Sequence, residues 1–142
     1  MIVTFAVMAA VAVVAAAIAW WIQRNQRPAP TTVAGAPPGS LDRSDFLAPE
    51  AQLLIAVFTS NTCSSCDAVW GELAGYESPS VAVQNVEVGE EPAIHKRYQI
   101  ESVPTAVIVD ASGETQAAFV GPLGPDHRRV LLELVRDAAT NN

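Results

Sequence analysis

Cationic side chains and cysteines are both scarce in this sequence of 142 residues. Eight Lys and Arg face fifteen Asp and Glu, and residues 41–142 hold all fifteen acids but only six of the bases, a net formal charge of −9. A surface so charged repels phosphate backbones, which argues against nucleic-acid binding. Two cysteines are too few for a disulfide framework, and a chain of this length has room for one compact core.

Charge is absent altogether from Met1 to Ile22. A helix over that run is about 33 Å long at 1.5 Å per residue, enough to cross a hydrocarbon core of about 30 Å. Trp20 and Trp21 close the run, where indoles favour the membrane interface. We therefore predict a single-pass transmembrane anchor over residues 1–22. A cleaved signal peptide is the alternative, although no Lys or Arg precedes the run and the tryptophans occupy the place of small cleavage-site residues.

A proline-rich segment follows the predicted anchor. Residues 23–40 lack aromatic side chains and hydrophobic periodicity, so they predict an extended linker between the membrane and a domain over residues 41–142. Arg24 and Arg27 lie directly after the anchor. By the positive-inside tendency, these two charges favour a domain on the cytoplasmic face of the cell membrane.

Apolar runs separated by turn residues predict an α/β domain with the element order β-α-β-α-β-β-α. Parallel strands joined by helices and closed by a hairpin make a mixed sheet with helices on both faces. The predicted strands are Leu53–Phe58, Val81–Val88, Thr105–Asp110 and Glu114–Val120, and the predicted helices begin at Cys63, at Pro92 and next to Asp126.

The two cysteines form a C-x-x-C motif where the first strand gives way to a helix. Cys63 is expected to meet the unpaired N–H groups and the positive dipole end of that helix, which favour the thiolate. The thiolate is the attacking species in disulfide exchange. Cys66, one turn deeper, would be close enough to attack a mixed disulfide formed at Cys63 and so release the substrate.

Other interpretations of the cysteine pair are weaker. A structural zinc site normally needs four ligands, and His95 and His127 do not have the spacing of a zinc finger. We expect both histidines to be exposed residues on helices. A structural disulfide across this short loop would stabilise little, and two unrelated buried cysteines remain an alternative.

Three segments of the sequence resemble the thioredoxin family over nearly all of residues 42–142. They are Phe58–Cys66, with its C-x-x-C, Glu91–Thr105, with Lys-Arg-Tyr and Val-Pro-Thr, and Phe119–Gly121 after Gly113. The resemblance implies a thioredoxin-like mixed sheet flanked by helices. The region before Leu53 is shorter than the family's first strand and helix, so we expect that opening unit to be trimmed.

The resemblance also implies roles for five residues. Cys63 corresponds to the family's attacking cysteine and Cys66 to its resolving cysteine. Pro104 corresponds to the cis-proline opposite the pair. Val103 would offer backbone groups to an extended substrate segment, and Gly121 would border the same groove.

Five positions depart from the family pattern. Thioredoxins carry Trp where this chain has Thr62, and Gly-Pro where it has Ser64-Ser65. Val57 replaces a buried aspartate that helps move the proton of the resolving thiol, so Cys66 is expected to react more slowly. Asp67 replaces a common lysine, and its negative charge disfavours the thiolate. This less stabilised thiolate, together with the lack of the histidine that strongly oxidising relatives have between the cysteines, predicts a reducing pair.

We therefore expect a membrane-tethered thiol–disulfide oxidoreductase that reduces disulfides in protein partners and contributes to cell redox homeostasis. It would use no metal and no organic cofactor, but it would need an upstream electron donor. The alternative is a thioredoxin-like binding or scaffold module without redox turnover. Electron delivery to one dedicated client is a further possibility. The arginines favour the cytoplasmic face, whereas anchored members of the family often face outward.

Overall fold

The computed structural model describes residues 1, 4–5, 8, 12–18, 20 and 36–141. The described residues between 4 and 20 are helical. Within the described parts of the chain, no helix is long and apolar enough to cross a membrane. The predicted anchor falls partly outside the described residues, and the predicted linker lies outside them as far as residue 35.

Four strands form a single mixed sheet in the described domain. They lie in the spatial order β2-β1-β3-β4. β1 runs parallel to β2 and antiparallel to β3, and β4 is antiparallel to β3. This topology confirms the predicted mixed sheet. The strands are β1 (Leu53–Thr59), β2 (Val81–Glu87), β3 (Thr105–Asp110) and β4 (Thr115–Val120).

Three helices complete the predicted order. They are α1 (Cys66–Ala74), α2 (Pro92–Arg97) and α3 (Pro125–Thr140). Pro92 and Pro125 each occupy the first turn of their helix, where the missing N–H of proline leaves no partner unbonded. The prediction that the first helix begins at Cys63 is wrong by three residues.

β1 is the centre of the core because every one of its residues is buried. Its side chains alternate between two apolar clusters, one on each face of the sheet. α1 and α3 cover one face and α2 lies on the other, which confirms helices on both faces. The first cluster includes Leu53, Ile55, Val57, Val69, Leu73 and Leu131; the second includes Leu54, Ala56, Phe58, Val86 and Tyr98.

The chain joins the sheet along the outer edge of β4. The Thr115 hydroxyl donates to the Pro38 carbonyl at 2.8 Å, and the Thr115 N–H donates to the Gly39 carbonyl at 3.1 Å. The Leu41 N–H donates to the Gly113 carbonyl at 2.8 Å. Gly113 has φ +86°, and a Cβ there would overlap the Leu41 carbonyl oxygen, so only glycine fits. The last residues of the predicted linker therefore contact the sheet.

A buried tyrosine holds the segment that precedes β1. This segment contains the 3₁₀ turn Arg43–Asp45, and the described residues before β1 hold no full strand, in agreement with the trimmed opening. The Tyr98 hydroxyl donates to Asp45 at 2.6 Å and accepts from the Asp42 N–H at 2.9 Å. Burial raises the pKa of Tyr98, so the phenol stays neutral and keeps its donor.

Candidate functional site

Strand pairing brings the predicted site residues to one end of the sheet. Phe58, near the end of β1, pairs with Thr105 at the start of β3, and Thr105 pairs with Val120 at the end of β4. The loop that follows β1 and carries Cys63 (the cysteine loop), the loop that precedes β3 and carries Pro104 (the proline loop) and the loop at Gly121 therefore all begin or end here. We call this end of the sheet the site end.

Cys63 and Cys66 are joined by a disulfide, with their Cα atoms 5.4 Å apart. The Cys66 N–H donates to the Cys63 carbonyl at 3.3 Å, which closes a four-residue turn. The first bond of α-helical spacing runs from Val69 to the Ser65 carbonyl at 3.2 Å. Because a turn of this kind occupies residues 63–66, α1 begins at Cys66 and Cys63 lies just before it.

The two sulfurs differ in exposure. Cys66 is only 2% exposed and lies on the covered side of α1, whereas Cys63 is half-buried. A large protein substrate can therefore reach Cys63 first. Val57 is fully buried in the same apolar cluster as Val69 and Leu73, so an aliphatic side chain stands where the family has an aspartate.

A cis peptide joins Val103 to Pro104, which confirms the isomer predicted for Pro104. The buried Pro104 carbonyl accepts from the Gly121 N–H at 2.8 Å, so the proline loop is attached to the end of β4. Gly121 has φ +86°, a conformation that favours glycine. Thr105 Oγ1 donates to the Ser102 carbonyl at 2.8 Å. The substrate-binding roles of Val103, Pro104 and Gly121 stay predictions.

One carboxylate at the end of β2 holds two loops of the site end together. Glu87 Oε1 accepts from the Asn61 N–H at 3.0 Å, in the loop before Cys63. Glu87 Oε2 accepts from the N–H groups of Gly89 and Glu90 at 2.8 and 3.0 Å. Hydrogen bonds to a charged acceptor are stronger than neutral ones. Glu87 therefore fixes the position of the cysteine loop relative to β2.

The helix that carries Cys66 is also connected to α3. Arg128 Nη2 donates to Glu72 Oε2 at 2.9 Å in a two-pronged ion pair. This hydrogen bond lowers the pKa of Glu72. The pair is solvent-exposed, so its effect on stability is small, but its geometry orients α1 against α3.

The histidines are structural, and the expectation that His95 and His127 are exposed is wrong for both. His95 is buried, its Nε2 donates to the Val86 carbonyl at 2.8 Å, and its ring lies edge-on to Phe58. His127 is half-buried and stacks on Phe119, with ring centroids 4.6 Å apart. No group of three or more metal-binding side chains occurs in the described portion of the chain.

Sequence reasoning assigned no role to Glu87 and no individual role to Ser65. Ser65 Oγ lies 3.7 Å from Cys63 Sγ, at the residue that precedes α1. Serine is preferred at the position before a helix, so the sequence alone could have singled out Ser65 as a residue with a role at the start of α1. For Glu87 there is no comparable signal, because its partners come from another loop.

The family model that describes thioredoxin matches residues 43–132, more than half of the chain. The chain belongs to the thioredoxin family. The fold, the family and the bonded Cys63–Cys66 pair together support thiol–disulfide oxidoreductase chemistry at the level of the family.

The solved structures that are similar to this chain include a thioredoxin and a malarial protein. A mutant thioredoxin from Halobacterium salinarum NRC-1 is 25% identical, with a TM-score of 0.50 over 61% of this chain and 77% of its own. A malarial protein is 13% identical, with a TM-score of 0.49 over 61% of this chain and 97% of its own. No curated protein matches the sequence.

Replacement of Glu87 by alanine tests its place at the site end. We expect Glu87→Ala to lower the free energy of unfolding by about 1–2 kcal/mol, because three backbone N–H groups lose a charged acceptor. Urea unfolding of the oxidised protein measures the change. Glu90→Ala is the control, since it removes a neighbouring charge whose side chain holds no loop. Equal effects of the two substitutions would contradict the role of Glu87.

Proposed function

We propose that this protein reduces disulfide bonds in protein partners, with Cys63 as the attacking and Cys66 as the resolving cysteine. The observation that carries the proposal is the pairing of a half-buried Cys63 with a buried Cys66 at the end of the sheet that also holds the cis-proline loop. Only the outer sulfur is open to a macromolecular substrate. The inner sulfur is already within bonding distance of it.

The proposed reaction has two exchange steps. The Cys63 thiolate attacks one sulfur of the client disulfide, a mixed disulfide forms, and the other client sulfur leaves as a thiolate that takes up a proton. Cys66 then loses its proton and attacks Cys63 Sγ. The Cys63–Cys66 bond forms and the second client thiolate leaves. Two electrons have passed to the client, and an upstream dithiol donor must reduce the pair again.

The groove for the client is proposed to follow the cis-proline loop. Val103 is half-buried and can offer its backbone groups to an extended segment. The Gly121 N–H already donates to Pro104, so Gly121 borders the groove without binding the client through that group. Pro104 itself is buried and forms the floor of the proposed groove.

Reduction is favoured over oxidation by the composition of the motif. The sequence between the cysteines is Ser-Ser, without the histidine of strongly oxidising relatives, and exposed Asp67 disfavours an anion nearby. A less stabilised thiolate lowers the reduction potential of a pair. Val57 has no group that can take the proton of Cys66. The attack of Cys66 on the mixed disulfide is therefore proposed to be slow.

A second candidate function is a binding or scaffold module without redox turnover. The aliphatic Val57 beneath the cysteine loop favours it, because the family's proton-transfer aspartate is missing there. In such a module the groove at the cis-proline loop would hold a partner segment. The cysteines would then have no catalytic duty.

We further propose that residues 1–22 tether the domain to the cell membrane. Supporting this, the run carries no charge, and its described apolar side chains are exposed on a helix instead of packed against the domain; they include Phe5, Met8, Val13 and Ile18. Arg24 and Arg27 favour the cytoplasmic face. A tether would raise the effective concentration of clients within linker reach.

The point where the described chain enters the domain bears on the orientation of such a tether. Ala36 and Pro37 line a small hollow together with Ser102, Thr105 and Val120. This hollow lies at the site end. A tether that leaves the domain there would hold the cysteine pair near the membrane surface, so disulfides close to the membrane are the proposed clients.

Substitution of each cysteine by serine separates the two proposed roles. We expect the full-length Cys66→Ser protein, once reduced, to accumulate a mixed disulfide with insulin, because no resolving thiol remains. Cys63→Ser should form none, since the remaining thiol is buried. Non-reducing electrophoresis and mass spectrometry detect the adduct.

Complementation in cells compares the two candidate functions. Loss of function in a Cys63→Ala, Cys66→Ala double variant would support the oxidoreductase. Full rescue of a deletion phenotype by the same variant, together with no adduct from Cys66→Ser, would overturn it in favour of the binding module.

Membrane placement is tested by fractionation and by labelling of Cys63. We expect the full-length protein in the membrane fraction, resistant to carbonate extraction, because an apolar span of this length partitions into the bilayer. A variant that lacks residues 1–22 should be released. A membrane-impermeant maleimide should label reduced Cys63 only after lysis. Labelling in intact cells would contradict the cytoplasmic face, and release by carbonate would contradict the anchor.

A further inference from the structure

Ser65 stands at the position before α1 where serine normally caps a helix. A capping serine has extended backbone angles, and its oxygen accepts from an N–H of the first helical turn. Ser65 does neither. Its φ and ψ are −92° and −11°, and its side chain makes no capping hydrogen bond. The Ser65 hydroxyl therefore does not cap α1.

The hydroxyl lies beside the outer sulfur instead. Ser65 Oγ is 3.7 Å from Cys63 Sγ, within hydrogen-bond range for the large sulfur atom, and both residues are half-buried. A disulfide sulfur carries no hydrogen, so the serine must be the donor in this contact. On reduction the same donor faces a sulfur that can become an anion, and a charged acceptor strengthens such a bond.

We infer that Ser65 is a positioning residue of the redox site, which donates a hydrogen bond to Cys63 Sγ and stabilises it as a thiolate. The inference rests on the proposed function and deepens it. The same bond would act twice in the cycle. It favours the attacking anion in the first step. It also stabilises Cys63 during re-reduction of the pair: the upstream dithiol donor attacks Cys63 Sγ and releases Cys66, and the donor's second thiol then displaces Cys63 as a thiolate.

Two negative charges oppose the stabilising effect of the Ser65 hydroxyl on a Cys63 thiolate. Asp67 on α1 is exposed, and Glu87 from β2 is bonded to the loop that carries Cys63. Both charges disfavour an anionic sulfur. Ser64 and Ser65, the two residues between the cysteines, carry no charge. Within the motif, a thiolate can therefore be stabilised only by a neutral hydrogen-bond donor such as a serine hydroxyl.

Ser64 provides a matched control. It has the same side chain, lies in the same motif and is exposed, and it forms no hydrogen bond with any part of the chain that the structure describes. The two serines differ in their contact with sulfur. A general effect of polarity in the motif would appear at both positions, whereas the inferred bond belongs to Ser65 alone.

The test measures the alkylation rate of Cys63 by iodoacetamide between pH 5 and 10. The protein is the full chain, reduced, with Cys66→Ala so that one thiol remains. We expect Ser65→Ala to slow alkylation at pH 7 by about three- to tenfold, because losing a hydrogen bond to a charged group reduces the thiolate fraction. The rates should converge near pH 10, where every variant is ionised. Ser64→Ala should change the rate by less than twofold, and Ser65→Thr should restore most of it.

A role in helix capping would give a different pattern. Ser65→Ala would then lower the free energy of unfolding while the pH profile of alkylation stayed in place, and that result would overturn the inference. Equal pH profiles for Ser65→Ala and Ser64→Ala would also overturn it. If the profile moves as expected but the unsubstituted protein reduces no client disulfide, the proposed function fails and the role of Ser65 stands.

Discussion

The position of the Cys63–Cys66 disulfide depends on the packing and pairing that fix β1 in the core. β1 is paired on both sides and buried on both faces, so the point at which it ends is set by the whole core. The cysteine loop starts there. Glu87 ties that loop to the end of β2, and the Pro104 carbonyl ties the proline loop to Gly121. Under the proposed function, a sulfur at the edge of such a framework would need little reorganisation when a client binds.

Electrostatics limits what that sulfur can do. The domain carries a large excess of acid, and Asp67 lies on the first turn of α1. On the inference drawn above, an anion at Cys63 would be stabilised mainly by dipoles, namely the N–H groups at the start of α1 and the Ser65 hydroxyl. A thiolate stabilised only by dipoles is weaker as a leaving group than one beside a cation. This is the electrostatic basis of the proposal that the pair donates electrons.

Much of this arrangement is predictable from the sequence, for identifiable reasons. The strand runs of β1 and β3 are short and rich in strand-forming residues, and their ends agree with the structure within one residue. The cis form of Pro104 followed from the family resemblance, since no local pattern specifies it. The start of α1 was misplaced because Ser64-Ser65 fits a turn as well as a first helical turn. Only the bond from Cys66 to the Cys63 carbonyl decides between them.

Other features arise from contacts between distant parts of the chain. His95 looks polar in any pattern, yet its ring packs against Phe58 and donates to the Val86 carbonyl of β2. Glu87 is one of fifteen acids in the sequence, and only the folded chain brings the Asn61 N–H to it. Such pairings have no periodicity from which they could be inferred.

The reduction potential of the Cys63/Cys66 pair tests the central claim most directly. The full-length protein is equilibrated with graded ratios of reduced and oxidised glutathione, and the dithiol fraction is counted by mass spectrometry after alkylation. The account predicts reversible titration with a potential below about −220 mV, on the reducing side of the cytosolic glutathione poise. A potential near about −120 mV, typical of strong oxidants, or a disulfide that never exchanges, would contradict it.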